Sequence, residues 1–389
     1  MKFPNSRQIE GRRYLVLTEL FLPTKGGTAV WFDEAYRRLG GKQIHVLTAG
    51  VPGDVEHDLH NPNSVHRLKL QDHPFLRPAS FPKYLRFFLH GLWLGLRNDF
   101  EAVHAGRVLP EGLCAWAIAR MIRRPLVIYA HGEEITTWRH LPRRLKAMRF
   151  AYRHADRVVA NSDFTRDQLV SLGVRPDRIT IINPGVDIER FRPDYETADL
   201  RARIGLAAGQ KLIVSVGRLN RRKGFDTVIA ALPRLVEQGI DVHHVIIGIG
   251  DDEDYLRQLA EKKGVSERVH LLGHVDSDDL PRWYCAADVF AMPNRKVNDD
   301  TEGFGMVYVE AAACGTPSIA GNAGGTGSAV LDGETGLRVD GDDLEAVTAA
   351  LQGILADDAY AKELADAAER RARSELSWEQ VAVKTAALD

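Results

Sequence analysis

Short apolar runs alternate with stretches of helical periodicity through the first half of the chain. Residues 14–18 (YLVLT) predict a buried strand, residues 23–27 a turn, and residues 28–39 a helix. Further strands are predicted at 44–47, 102–104, 126–129, 157–160 and 179–182, with a helix near 112–121. Strands that alternate with helices in this way are typical of a parallel, doubly wound sheet.

A second alternation of the same kind follows a polar stretch at 188–210, which predicts a linker. Its strands are predicted near 212–216, 243–247, 269–272, 288–292 and 317–320, and its helices near 225–238, 252–263, 277–286, 305–314, 342–356, 358–374 and 377–388. The pattern predicts an α/β architecture of two facing Rossmann-like domains, 1–187 and 188–374. Because such sheets bind ligands at the carboxyl ends of their strands, a cleft between the domains is expected to hold the site.

The composition is that of a globular protein that needs more than one core. The chain has 389 residues, of which 44% are hydrophobic and 27% charged. Its three cysteines are scattered without metal-ligand spacing, which predicts a reducing cytoplasm. The first thirteen residues are polar and charged rather than signal-like, and no apolar run is long enough to span a membrane.

A net charge of −2 conceals two halves of opposite sign. Residues 1–190 hold 29 of the 51 Lys and Arg and 19 of the 53 Asp and Glu, leaving 22 basic against 34 acidic residues in the remainder. The basic half can attract anionic lipid, nucleic acid or a phosphorylated acceptor. The acidic second half, without a nucleic-acid motif, argues against a nucleic-acid binder.

Two carboxylates bracket a glycine-rich turn in residues 302–310 (EGFGMVYVE). Helical periodicity begins near Gly305, so Glu302 precedes a helix and Glu310 lies inside it. The free N–H groups of a helix start can bind an anion. Carboxylates on either side can accept sugar and ribose hydroxyls, so this order of groups suits a nucleotide-sugar. A plain helix cap with a second, solvated acid is the alternative.

Two cations lie five residues apart where another strand ends, in residues 214–224 (VSVGRLNRRKG). Arg218 and Lys223 can face a diphosphate there, the former as a bidentate donor and the latter as a point charge. An ordinary basic turn is the alternative, because Arg221 and Arg222 are basic too. The two cations also disfavour reading the two glutamates as a glycosidase acid/base pair.

Together these segments resemble the retaining GT-B glycosyltransferases of family 4, whose pattern is G-R-x-x-x-x-K-G followed by E-x-seven-E. The resemblance extends over nearly the whole chain. It also includes the glycine pair Gly26-Gly27, His131 after a central strand, and residues 183–187 (NPGVD) at the domain junction. It further implies that the last helix, within 375–389, returns to the first domain.

By this resemblance, Glu302 contacts hydroxyls of the transferred sugar, Glu310 contacts the ribose and His131 contacts the sugar near its reacting carbon. Backbone groups after the strand at 269–272 read the base. The residues so assigned to the donor are Gly27, Arg218, Arg222, Lys223, Val275, Glu302, Gly305, Met306, Val307 and Glu310. Catalysis is assigned to His131, Glu302, Arg218 and Lys223. Retention implies same-face attack, so no protein nucleophile is named.

Several other polar residues have competing interpretations. His104 and Arg107 are placed on the acceptor side, whereas Glu133 and Glu134 either face the cleft or are solvated. The pair Asp299-Asp300 is interpreted as solvated. No metal and no cofactor are expected, since GT-B enzymes generally work without a bound metal.

Two basic stretches carry interleaved apolar residues, at 77–97 and 139–157. Such stretches can lie on an anionic membrane surface, or they can be core helices with a solvated cationic face. Family members that act on lipid-linked acceptors favour the first interpretation. The protein is accordingly expected to be cytoplasmic and peripheral on the inner membrane face.

The sequence thus predicts a retaining hexosyltransferase that transfers a sugar from GDP-mannose or a UDP-sugar to a glycan or lipid-linked acceptor, in glycan, glycolipid or polysaccharide biosynthesis. GDP-mannose is the favoured donor. A GT-B-shaped sugar-nucleotide epimerase and a catalytically silent binding homologue are the alternatives.

Overall fold

The computed structural model describes residues 11–70 and 81–388. The chain forms two compact units, Met1–Pro184 with Trp378–Asp389 and Gly185–Ser377. The sequence places the corresponding boundaries at 187/188 and 374/375.

The first unit is built on a sheet of seven parallel strands in the order β3-β2-β1-β4-β5-β6-β7. The strands are β1 (Tyr14–Leu17), β2 (His45–Ala49), β3 (Ser64–Leu68), β4 (Ala102–Ala105), β5 (Leu126–Ala130), β6 (Arg157–Ala160) and β7 (Ile179–Ile181). The helices are α1 (Gly27–Tyr36), α2 (Asp54–His60), α3 (Phe81–Arg97), α4 (Glu111–Ile122), α5 (Glu133–Trp138), α6 (Pro142–His154) and α7 (Asp163–Ser171).

The second unit is built on six parallel strands in the order β10-β9-β8-β11-β12-β13. Its strands are β8 (Lys211–Val216), β9 (Val242–Ile247), β10 (Val269–Gly273), β11 (Val289–Met292), β12 (Ser318–Gly321) and β13 (Gly336–Val339). Its helices are α8 (Ala198–Arg203), α9 (Phe225–Glu237), α10 (Glu253–Lys262), α11 (Asp279–Ala286), α12 (Met306–Ala313), α13 (Leu344–Leu355) and α14 (Asp358–Glu375).

The last helix, α15 (Trp378–Ala386), belongs to the first unit. It packs on α1, where Arg38 donates to Glu379 at 2.8 Å, and the Arg12 guanidinium donates to the Ala386 carbonyl at 2.7 Å. The second unit therefore interrupts the first in sequence.

Each sheet reverses its strand order at one central pair, β1 beside β4 and β8 beside β11. The loops that leave the carboxyl ends of such a pair run in opposite directions and open a crevice, which is where open parallel sheets bind ligands. Strands β1, β4 and β5 are buried along their whole length, as expected for a sheet covered on both faces. The fold therefore provides one crevice in each unit.

The differences from the predicted elements fall at sheet edges, in the linker and at the short helices α2, α5 and α7, which were not predicted. The edge strands β3 and β13 were not predicted, because neither is a continuous buried run: β3 (SVHRL) is half-buried throughout. The stretch at 188–210 is not a plain linker, since it contains α8, whose Leu200 is buried in the second unit's core. Helix α12 begins at Met306, one residue after the predicted start.

Histidines in the cores make stability depend on pH. His244 is fully buried, and burial lowers its pKa to about 3. The Ser215 hydroxyl donates to the Ala291 carbonyl and accepts from His244 Nε2 at 2.7 Å, so the neutral ring is already satisfied at that nitrogen. In the unfolded chain this histidine has an ordinary pKa near 6.5. Below that pH it binds a proton in the unfolded chain but stays neutral in the folded chain.

We predict that this contribution to stability is complete above pH 6.5 and is lost as the pH falls toward 3. His244→Gln can keep the hydrogen bond to Ser215 but cannot titrate. The free energy of unfolding, measured with urea from pH 6 to pH 4, should therefore fall less steeply for the variant, by about 1 kcal/mol per pH unit. Equal slopes for variant and wild type would show that His244 does not couple folding to protons.

Candidate active site

A tight turn after β8 fixes the backbone of Lys223. Residues Arg221–Lys223 form one turn of 3-10 helix, and Gly224 then adopts φ 74° before α9 begins. A Cβ on Gly224 would lie 2.1 Å from the carbonyl oxygen of Pro293, in the loop after β11. Only glycine allows this approach, which brings the β8 loop against the β11 loop.

The β11 loop places Glu302 at the same crevice. Its backbone is held by the glycine-rich segment after β12, where the Gly325 N–H donates to the Glu302 carbonyl at 2.7 Å. Gly305 ends the loop with φ 91°, and a Cβ there would lie 2.5 Å from the ring of Tyr308. Glycine is therefore required at the entry to α12.

The Glu302 carboxylate binds two cations from the β8 loop. Its Oε2 accepts from Lys223 Nζ at 2.7 Å and from Arg222 Nη1 at 3.0 Å, and all three side chains are at most 15% exposed. Burial by itself would raise the pKa of Glu302, but Lys223 and then Arg222 outweigh it and lower the pKa to about 2. The carboxylate is thus ionised at any physiological pH.

Arg222, rather than Arg218, is the partner of Lys223 on this carboxylate. Arg222 also forms an ion pair with Asp300 at 3.0 Å, so the interpretation of Asp300 as simply solvated was wrong. Arg218 is exposed and, within residues 11–70 and 81–388, has neither an ion pair nor a side-chain hydrogen bond. Of the cations after β8, Arg218 is therefore the one whose charge is not already matched there.

The start of α12 lies directly beyond this ion cluster. Gly305 is its N-cap and supplies no side-chain cap. Among the described residues of this turn, the first N–H group with a backbone acceptor is that of Tyr308, which donates to the Gly305 carbonyl. The N–H groups of Gly305, Met306 and Val307 precede it, in the turn whose donors a helix cannot satisfy internally. With Lys223 nearby, this turn is suited to an anion.

Glu310 projects from the second turn of α12 and is held by a tyrosine that the sequence analysis missed. The Tyr284 hydroxyl on α11 donates to Glu310 Oε2 at 2.8 Å. Burial raises the pKa of Glu310, while the hydrogen bond from Tyr284 and the charge of Arg190 oppose that rise. Nothing in the local sequence marks Tyr284, because the contact depends on how α11 packs on α12.

The loop after β10 contains Val275 and His274. The Val275 side chain is half-buried and packs against the core cluster that includes Leu200 and Trp283. His274, directly before it, is exposed in this loop.

In the first unit, His131 follows β5 and is fixed at three points. The ring Nε2 donates to the Gly106 carbonyl at 2.8 Å. The backbone N–H donates to the Glu134 carboxylate at 2.9 Å, and the backbone carbonyl accepts from the side-chain amide of Asn161 at 2.9 Å. Burial lowers the pKa of His131. The ring is therefore neutral at pH 7, with its proton on Nε2 and a lone pair on Nδ1.

A cavity of about 140 Å³ lies beside His131. It is lined by Thr28, Arg107, His131, Glu133, Glu134, Thr137 and Trp138. Thr28 follows Gly27, the first residue of α1, and Gly26 reaches φ 135° before it. The structure thus brings Thr28, which directly follows the glycine pair, and His131 to one cavity.

Two first-unit residues differ from their predicted places. His104 is fully buried and bonds to the Tyr36 hydroxyl, so it is a core histidine and does not line an acceptor site. Glu134 is buried too and accepts from the Tyr152 hydroxyl at 2.9 Å as well as from His131. Glu133, by contrast, is exposed at the cavity.

No group of three or more His, Cys, Asp or Glu side chains suited to a metal ion occurs in the described ranges 11–70 and 81–388. The expectation of a metal-free reaction stays a prediction.

Comparison with known proteins identifies the family. The model for glycosyltransferase family 4 matches residues 25–190, and the model for glycosyl transferases group 1 matches residues 196–373. The chain is also 34% identical to a GDP-mannose-dependent alpha-(1-6)-phosphatidylinositol monomannoside mannosyltransferase of Mycolicibacterium smegmatis, over 94% of each chain. The chain belongs to glycosyltransferase family 4. A D-inositol 3-phosphate glycosyltransferase of Streptomyces bingchenggensis is 30% identical over 93% of this chain and 84% of that protein.

Solved structures show the same GT-B fold. HepE of Anabaena, crystallised with UDP, superposes with a TM-score of 0.82 at 20% identity, covering 96% of this chain and 98% of that one. Sucrose-phosphate synthase of Thermosynechococcus elongatus superposes with a TM-score of 0.78 at 24% identity, covering 97% and 98%. The chain is therefore a glycosyltransferase. The predicted fold class, an α/β GT-B fold of two Rossmann-like domains, is confirmed.

Lys223→Ala should lower the glycosyl transfer rate at least tenfold, because it removes a cation from the anion site. Thermal unfolding and circular dichroism would establish that the fold is intact. Lys262→Ala, at an exposed position on α10, is the matched control and should transfer at the wild-type rate. Wild-type activity in Lys223→Ala would remove the role assigned to this lysine.

Glu310→Gln should weaken the binding of free GDP at least fivefold, because an amide accepts a ribose hydroxyl less strongly than a carboxylate. Calorimetry with free nucleotide measures this without turnover. Glu261→Gln, on the exposed face of α10, is the control. Unchanged GDP affinity in Glu310→Gln would contradict the ribose assignment.

Proposed function

We propose that the enzyme transfers mannose from GDP-mannose to a hydroxyl of an inositol-containing, lipid-linked acceptor, with retention of anomeric configuration. The choice of donor and acceptor is supported by the GDP-mannose-dependent relatives, which match 94–96% of this chain. The observation that carries the donor site is the meeting of Lys223, Arg222 and Glu302 at the start of α12.

Each part of that site has a proposed role. The cations after β8 and the first N–H groups of α12 hold the diphosphate, whose negative charge grows as the glycosidic bond breaks. Glu310 accepts from the ribose, and backbone groups near Val275 read the base. Glu302 accepts from hydroxyls of the transferred sugar while its two cations keep it ionised.

His131 acts in this proposal as a neutral acceptor. Because Nε2 donates to the Gly106 carbonyl, Nδ1 is the nitrogen that can receive a hydrogen bond from a sugar hydroxyl. Attack on the same face as departure, with the leaving phosphate taking the proton of the acceptor, requires no protein nucleophile. Catalysis then comes from positioning and charge stabilisation.

The test of this function is product analysis with donor and acceptor supplied separately and together. GDP-mannose with phosphatidylinositol mannoside should give a mannosylated lipid, and UDP-glucose should not replace the donor. An altered sugar-nucleotide from GDP-mannose alone would favour an epimerase. No product, together with no thermal shift on adding GDP-mannose, would favour a silent homologue.

We further propose that α3 and α6 bring the enzyme to an anionic membrane surface. In α3, apolar side chains that are 43–69% exposed recur every three or four residues; they are Phe81, Leu85, Leu89, Trp93 and Leu96. Such spacing places them along one side of the helix. Helix α4 contacts both α3 and α6, so the two belong to one part of the first unit.

Helix α6 adds the charge, with exposed cations and a half-exposed Phe150. The exposed cations of α6 are Arg143, Arg144, Lys146, Arg149 and Arg153. Apolar side chains for the acyl boundary and cations for anionic headgroups are what a surface-bound helix pair needs. Arg77, at the start of the predicted stretch 77–97, lies outside the described residues. Among described helices, none is long and apolar enough to cross a bilayer.

Replacing Arg143, Arg144 and Lys146 together by Glu should reduce sedimentation with vesicles that contain phosphatidylinositol at least threefold. The same charge change at Arg257 and Lys262 on α10 and at Lys263, directly after it, is the control and should leave sedimentation unchanged. Equal binding of all three proteins would show that the α6 cations are merely solvated.

A further inference from the structure

Two cysteines of the second unit lie against each other at the ends of α11 and α12. Cys285 is in the last turn of α11, and Cys314 directly follows the last residue of α12. Although they are 29 positions apart, the Cys285 Sγ lies 3.8 Å from the Cys314 carbonyl oxygen, and the two thiols hydrogen-bond to each other. Both are free thiols. Because helix packing creates this pair, the scattered spacing of the cysteines along the chain did not indicate it.

The surroundings of the pair make Cys285 the more reactive sulfur. It is half-buried, whereas Cys314 is buried. As a thiol, Cys285 donates to the Arg192 carbonyl at 3.1 Å. A hydrogen bond from the Cys314 thiol lowers the pKa of Cys285 against the effect of burial; the backbone of Tyr195 lowers it further, and the charge of Asp194 opposes this. Because the thiolate is the form that reacts with oxidants, Cys285 is the sulfur that an oxidant meets first.

The pair adjoins the hydrogen bond between Tyr284 and Glu310. Tyr284 directly precedes Cys285, and its hydroxyl donates to Glu310, about one helical turn before Cys314, at 2.8 Å. The segment after Cys314 is linked to the same tyrosine, because the Thr316 hydroxyl donates to the Tyr284 carbonyl at 2.7 Å. A displacement of the end of α12 against α11 therefore acts on both partners of the Glu310 contact.

The third cysteine differs in its surroundings. Cys114 lies on α4 in the first unit, where its Sγ donates to the Tyr84 carbonyl at 3.8 Å. Burial, and after it the charge of Glu111, raise the pKa of this thiol to about 12. Cys114 is half-buried like Cys285 but stays protonated at physiological pH, so it serves as an internal control.

We propose that hydrogen peroxide joins Cys285 and Cys314 in a reversible disulfide, and that this bond weakens nucleotide binding through Tyr284 and Glu310. The Cys285 thiolate attacks one oxygen of the peroxide, and the other oxygen leaves as hydroxide and takes up a proton to form water. The Cys314 sulfur then attacks the resulting sulfenic acid, whose hydroxyl leaves with the Cys314 proton as a second water. Two thiols are oxidised, and one peroxide is reduced to two waters.

Formation of the bond has to move α11 and α12. The sulfurs of a disulfide are about 2.05 Å apart, which is closer than two hydrogen-bonded thiols can approach. The last turn of α11 and the end of α12 are therefore drawn together, and the Glu310 carboxylate moves relative to Tyr284. The effect on nucleotide binding rests on the ribose role of Glu310 in the proposed function; the disulfide itself does not.

The experiment treats the reduced enzyme with hydrogen peroxide, maps the cysteines by peptide mass spectrometry and measures GDP affinity by calorimetry. Wild type should give a peptide pair linked through Cys285 and Cys314, and its GDP affinity should fall at least threefold. Dithiothreitol should reverse both changes. Cys285→Ser should form no such link and should keep its GDP affinity under peroxide. Cys114→Ser is the matched control and should respond as wild type does.

Cys314→Ala provides a second variant, which keeps the thiol that reacts first and removes the one that closes the disulfide. Under peroxide its Cys285 should accumulate sulfenic acid, which dimedone traps and mass spectrometry detects. Reaction of dimedone with Cys114 in preference to Cys285 would contradict the order of reactivity.

Two outcomes with wild type would overturn the proposal. One is the absence of a link between Cys285 and Cys314 after Cys285 has been oxidised. The other is an unchanged GDP affinity in protein whose disulfide has been mapped. If the reduced enzyme does not bind GDP, the proposed donor and the coupling to it fail together, whereas a linked peptide pair would still show the disulfide.

Discussion

The crevice of the second unit depends on one largely buried carboxylate shared by two cations. Glu302 is held by Lys223 and Arg222, which leave the carboxyl end of β8 about 80 positions earlier in the chain, while Glu302 itself follows the neighbouring β11. Removing either cation would leave a buried charge poorly compensated, and removing Glu302 would leave the cations to repel one another. The same contact links the β8 loop to the segment directly before α12, so the ion cluster also orders the turn that we propose binds an anion.

Both units have a crevice at the strand pair where the sheet order reverses, but the cations at the two crevices differ in whether they are paired. In the second unit Lys223 and Arg222 are matched by Glu302, and Arg222 also by Asp300, so a ligand phosphate must share cations that are already paired. In the first unit Arg107 lines its cavity and has no ion pair within residues 11–70 and 81–388, and the ring of His131 is neutral at pH 7. Cations that are already paired can exchange their carboxylate for the diphosphate in the proposed donor site, and can return to it when the nucleotide leaves.

The sequence was sufficient for what local patterns determine. Buried strands such as β1 and β5 are continuous apolar runs, and the segments around Lys223 and Glu302 carry their own turn glycines, so these strands and turns were placed correctly. The sequence did not predict contacts between side chains that are distant along the chain and that the sheet order or helix packing brings together. Whether Arg218 or Arg222 joins Lys223 on Glu302 depends on the direction of one 3-10 turn, and the Tyr284 bond to Glu310 depends on helix packing. The half-exposed edge strand β3 lacks the apolar run by which strands are recognised.

The central claim is that the β8 cations and the start of α12 bind the pyrophosphate of the nucleotide. Calorimetry with GDP and GMP on wild type and on Lys223→Met tests it most directly, because the two nucleotides share base and ribose and differ by one phosphate. Wild type should bind GDP at least tenfold more tightly than GMP, and the variant should lose most of that preference while its GMP affinity stays close to wild type. An undiminished preference for GDP in the variant, or an equal loss for both nucleotides, would contradict the account.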